Sequence, residues 1–64
     1  MNHDYQFISI LLGIINELIN EDTLFSKSMA SKYMNILHNI GCKLRKIDGE
    51  IYLVDYTPKI LSRL

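Results

Sequence analysis

Apolar residues recur along the first third of the chain at positions 7, 8, 10, 11, 12, 14, 15, 18 and 19. That density predicts a helical region over residues 5–20, apolar over most of its circumference, with Asp4 placed to cap its start. A helix of this kind buries several sides, and a short chain has little else to cover them with. The surplus predicts self-association, with Phe7, Ile8, Leu11, Ile15 and Leu18 as the candidate dimer interface; the alternative is that the hairpin and the second helix wrap the region completely. Gly13 stands inside the run, where glycine costs about 1 kcal/mol relative to alanine. It is read either as a close-packing site or as a break that divides the region into two short helices.

A polar, cap-rich turn follows at Asn20-Glu21-Asp22-Thr23. A second helix is then predicted over residues 26–40, starting at Ser26 or Ser28. Ala30, Tyr33, Met34, Leu37 and Ile40 hold helical spacing on one side. Lys27, Ser28, Ser31, Lys32, Asn35 and His38 project from the other side. Gly41 follows the last apolar turn, where a left-handed helix terminus favours glycine.

Period-2 alternation then replaces the helical period. Cys42 to Ile47 and Ile51 to Tyr56 flank Asp48-Gly49, a tight-turn signal, so residues 42–56 are predicted as a β-hairpin. A two-residue turn pairs Ile47 with Glu50, Lys46 with Ile51, Arg45 with Tyr52 and Leu44 with Leu53. Cys42, Leu44, Ile51 and Leu53 then share the core face, and Lys43, Arg45, Tyr52 and Val54 the other. Pro58 ends the strand region, leaving residues 57–64 as a tail or one short helical turn. The fold class is α+β: two, or if Gly13 divides the first region three, helices followed by a two-stranded antiparallel hairpin.

With 64 residues, 48% hydrophobic and 22% charged, the chain is one small globular domain, 1–64, and not a disordered one. A domain this short buries only about 60% of its unfolded surface. It has one cysteine, Cys42, so it has no internal disulfide and no cysteine-histidine zinc cluster. No cofactor is implied. The apolar run is too short to span a bilayer and is preceded by an acid, so no membrane association is read and an intracellular, cytoplasmic location is expected, or a nuclear one if the source is eukaryotic or viral.

Formal net charge is zero, but the signs are segregated. Residues 1–26 carry Asp4, Glu17, Glu21 and Asp22 and no base, and residues 27–46 carry Lys27, Lys32, Lys43, Arg45 and Lys46 and no acid. Asp48, Glu50 and Asp55 follow. A basic centre of this kind fits either an anionic partner or a solvated surface.

Candidate catalytic chemistry is sparse. His38 lies four residues before Cys42, but no third partner and no oxyanion loop accompany them. The carboxylates form no pair for acid-base work, and no phosphate-binding glycine loop occurs. A non-enzymatic protein is expected.

The run Ser26-Lys27-Ser28, then Ala30, Met34, Leu37, Gly41, the strand Cys42-Lys43-Leu44-Arg45, the Asp48-Gly49 tip and the returning Ile51-Tyr52-Leu53-Val54 resembles the second half of a winged-helix DNA-binding domain. The likeness covers about 30 of the 64 residues. A winged helix has two helices before its recognition helix, and only residues 5–25 stand in that place here. The resemblance implies that the second helix enters the major groove of double-stranded DNA, with Lys27, Ser28, Ser31, Lys32 and Asn35 facing it and Asn35 suited to adenine. It also implies phosphate contacts from Lys43, Arg45 and Lys46 on the wing. The expected function is that of a small dimeric DNA-binding regulatory protein. The alternative is a protein-interaction module, an adaptor or inhibitor that uses the apolar first helix.

Overall fold

The computed structural model describes residues 3–58. Helix α1 (His3–Glu21) is followed by helix α2 (Leu24–Asn39), strand β1 (Cys42–Ile47) and strand β2 (Glu50–Tyr56). The strands form a two-stranded antiparallel sheet, so the class is the expected α+β with two helices and a C-terminal hairpin. The tail assigned to residues 57–64 lies outside the described residues beyond Pro58.

α1 is one uninterrupted helix of 19 residues, so Gly13 neither breaks it nor makes a close contact. A Cβ built at Gly13 meets nothing within 4 Å. The helix also starts earlier than Asp4 would allow as a cap, because Asp4 stands inside the first turn. Its carboxylate instead accepts a hydrogen bond from the Tyr56 hydroxyl at 2.7 Å.

The α1–α2 turn is two residues long. Asp22 takes a left-handed backbone conformation, with φ 57°, and its N–H donates to Ile19 at 3.1 Å, ending α1. α2 then begins at Leu24 rather than at Ser26 or Ser28, because Thr23 is the cap. The Thr23 hydroxyl accepts from the Ser26 N–H at 2.9 Å, and the Ser26 hydroxyl accepts from the Thr23 N–H at 3.0 Å. This reciprocal capping box uses serine where glutamate is commoner, and it accounts for the buried Ser26 side chain. At the other end Gly41 has φ 111°, a conformation that side-chain-bearing residues rarely adopt.

The hairpin register agrees with the sequence expectation from Ile47 opposite Glu50 back to Leu44 opposite Leu53. Asp48 and Gly49 both have positive φ, 53° and 84°, as a tight primed turn requires. Beyond Leu53 the register slips: Lys43 pairs with Asp55 and Cys42 with Tyr56, leaving Val54 as an extra residue in β2. This β-bulge reverses the parity of the strand. It turns Tyr56 towards the helices, where its ring meets Tyr5 edge-on at 5.4 Å between centroids.

The core is Ile8, Leu11 and Ile15 from α1, Ala30 and Leu37 from α2, Cys42 from β1 and Ile51 from β2. Leu12, Leu18, Ile19, Tyr33, Met34, Ile40, Leu44 and Leu53 pack around it. Each fully buried aliphatic side chain contributes about 1.5–3 kcal/mol. Asn16 adds a polar clamp. Its side-chain oxygen accepts from the Ile51 N–H at 2.7 Å, and its amide donates to the Ile51 carbonyl at 3.1 Å. One asparagine therefore satisfies both backbone groups of a strand residue whose ladder partner lies on the other side.

The elements form a closed circuit: α1 packs on α2, α2 on β1, β1 on β2 and β2 on α1. The helix pair is one layer and the hairpin the other, with β1 under α2 and β2 under α1.

Candidate nucleic-acid interface

That circuit converts the sign pattern of the sequence into a spatial one. Among the described residues every lysine and arginine lies on α2 or β1: Lys27, Lys32, Lys43, Arg45 and Lys46. Every acid lies on α1, on β2 or in a turn: Asp4, Glu17, Glu21, Asp22, Asp48, Glu50 and Asp55. Because α2 packs on β1 and α1 on β2, the described bases gather on one side of the fold and most of the described acids on the other, with Lys43 opposite Asp55 and Lys27 beside Asp22 where the two sides meet. Opposed signs of this kind produce a field that orients the whole molecule towards a charged partner.

All of the expected DNA-facing residues are exposed. Ser28, Ser31, Lys32 and Asn35 are spaced three, four and seven apart and share the outward face of α2. Lys43 and Arg45 point away from the helices, on the outer face of β1. Lys46 is of opposite parity and lies on the inner side, so the three wing bases do not form a single face. Lys46 instead meets Lys27 across a groove of about 300 Å3 between α2 and the hairpin, floored by Ile19, Ala30, Met34 and Ile51. Lys27 also pairs with Asp22 at 3.0 Å across exposed surface, an interaction worth about 0.2–1 kcal/mol and easily exchanged for a phosphate.

The expected dimer residues are placed differently. Ile8, Leu11 and Ile15 are interior to the protomer, with at most 8% of their surface exposed, because α2 and the hairpin cover that stripe. They form the protomer's own core and are not exposed surface in this fold. Leu18 is half-buried against the same core, and only Phe7 is exposed. The apolar residues that α1 does present to solvent are Tyr5, Phe7, Ile10 and Ile14.

Cys42 is buried, and burial pushes its thiol up from the usual value, which keeps it protonated at neutral pH. That is the opposite of what a nucleophilic cysteine needs. Tyr52 donates to Glu50 at 3.1 Å on the outer face of the hairpin, and this bond raises its pKa. Among the described residues no cluster of three metal-ligating side chains occurs, and no helix is long and apolar enough to cross a membrane.

Two further residues position this surface. Asn16, the one amide inside the apolar run, anchors the hairpin that carries Lys43 and Arg45. Thr23, immediately before an apolar pair, sets the start of α2 and so the orientation of its polar face. No family model, no curated protein and no solved structure matches the chain.

Proposed function

We propose that the chain is a small non-enzymatic protein that binds double-stranded DNA through its α2–β1 flank, in a regulatory role. The observation that carries this reading is the partition of charge, with all five described bases on two adjacent elements. Lys43 and Arg45 on the outer hairpin face meet phosphates, and so do Lys27 and Lys46 at the groove. Ser28, Ser31 and Asn35 on α2 face base edges, with Asn35 able to make a bidentate contact to adenine. The arrangement is simpler than a winged helix, because one continuous α1 stands where that family has two helices. The helix and the wing act as a unit without the helix-turn-helix ahead of them.

The test is a comparison of variants against random-sequence and adenine-rich duplexes. Lys43→Glu with Arg45→Glu weakens binding to every sequence alike and lowers the salt slope by about 1 for each cation lost. Asn35→Ala leaves that slope unchanged and narrows discrimination by about 1–3 kcal/mol. Unaltered DNA binding by the double charge reversal removes the proposal. A protein-interaction module is the second reading, favoured by exposed Phe7, Ile10, Ile14, Phe25 and Ile36. Under that reading the charge reversal is silent.

A further inference from the structure

The hairpin covers only one side of the helix pair. On α1, Tyr5 and Asn16 turn towards β2, and on α2, Lys27 and Met34 turn towards β1. The opposite side carries Phe7, Ile10 and Ile14 from α1, spaced three and four apart, with Glu17 continuing the row. From α2 it carries Phe25, Met29 and Ile36, with Lys32 inside the row. Phe7 is 46% exposed, Ile10 57%, Ile14 41%, Phe25 74% and Ile36 41%. Together these side chains leave on the order of 500 Å2 of apolar surface in one contiguous face, near the upper end for a monomer and more than half of what one partner buries in a specific dimer.

We infer that this face binds a second copy of the chain, with α1 of each protomer laid on α2 of the other to form a four-helix layer between two outer hairpins. Charge selects this occupant and this arrangement. A two-fold axis across the helices would set α1 on α1 and α2 on α2, and one centred on the apolar face would oppose Lys32 with Lys32 while giving Glu17 no lysine or arginine partner, since α1 carries none. An axis parallel to the helices sets α1 on its partner's α2 in an antiparallel sense. Each Glu17 then stands beside the partner's Lys32 at the rim, twice by symmetry. The inward stripe of Ile8, Leu11 and Ile15 stays within each protomer, and the dimer uses the outward one. Lys43 and Arg45 remain on the outer hairpin faces, clear of the interface.

Sedimentation equilibrium of the whole chain, over micromolar to millimolar concentration and with circular dichroism recorded alongside, tests the inference without reference to DNA. The expected mass is twice that of the chain. Ile14→Glu and Phe25→Glu, both at solvent-facing positions, should give helical monomers. Glu17→Lys and Lys32→Glu should each weaken the dimer about two- to thirtyfold, the scale of two exposed ion pairs, and the double exchange should restore it. A wild-type monomer at every concentration overturns the inference, and so does a dimer that survives both apolar substitutions. Should those two variants fail to fold, the exposed charge pair decides: additive weakening with no rescue overturns the arrangement.

Discussion

At the scale of single residues, several side chains do something other than their type suggests. Gly13 is a cost with no return, since it sits in an intact helix, exposed, with open space where a Cβ would be. Gly13→Ala should raise stability by about 0.5–1 kcal/mol in a urea titration. No gain, or a loss, would show that the glycine serves a contact formed only in an assembly. Tyr56 is the other case. The hydrogen bond it donates to Asp4, with smaller contributions from desolvation and the carboxylate charge, pushes its pKa from 10.0 to about 12. The folded state therefore holds this proton more tightly than the unfolded chain. Its contribution is complete below pH 10 and is lost as pH rises from there towards about 12. The difference in stability between wild type and Tyr56→Phe should be level up to about pH 9 and shrink above pH 10. A difference that is unchanged through pH 11 would contradict the bond to Asp4.

At the scale of elements, the sequence was most legible where its period was clean. Residues 42–45 and 50–53 alternate around the Asp-Gly turn, and the pairing and faces follow even though Lys46 and Ile47 are out of phase. The second helix was legible as a helix, but its start was displaced by two residues, because Thr23 with Ser26 makes a capping box that lacks the usual glutamate. The bulge at Val54 was not anticipated. Its trace is a phase change, since continued alternation after Ile51 and Leu53 would have sent Asp55 into the core and Tyr56 out of it. The first helix was the least legible. Apolar residues occupy most of its circumference, so no period distinguished the stripe that faces the protomer core from the stripe that does not. Asn16 was the one marker inside that run, and its meaning depends on an ordered strand edge beside it. Asn16→Ala removes both bonds to Ile51 and leaves its backbone groups without partners. It should cost about 2–3 kcal/mol by chemical denaturation and loosen the hairpin first in amide exchange. A loss under about 0.5 kcal/mol would mean that apolar packing alone seats the hairpin.

At the scale of the whole molecule, the charges are ordered by topology and not by sequence alone. The segregation of acids in residues 1–26 from bases in residues 27–46 was plain in the chain. Its consequence depends on which elements touch. With α2 on β1 and α1 on β2, two separate basic segments become one flank. The inward placement of Lys46, opposite Lys27 at the groove, follows from strand parity once the register is known. The two-sided fold also separates two surfaces by chemistry, a basic flank and an apolar helix face. The measurement that tests the central claim most directly is the affinity of the unmodified protein for random duplex DNA as a function of salt. Four phosphate contacts per protomer, from Lys27, Lys43, Arg45 and Lys46, predict that log affinity falls linearly with log salt, with a slope of about −3.6 for each protomer bound. No binding at low salt, or binding with a slope near zero, would contradict a basic DNA-binding flank.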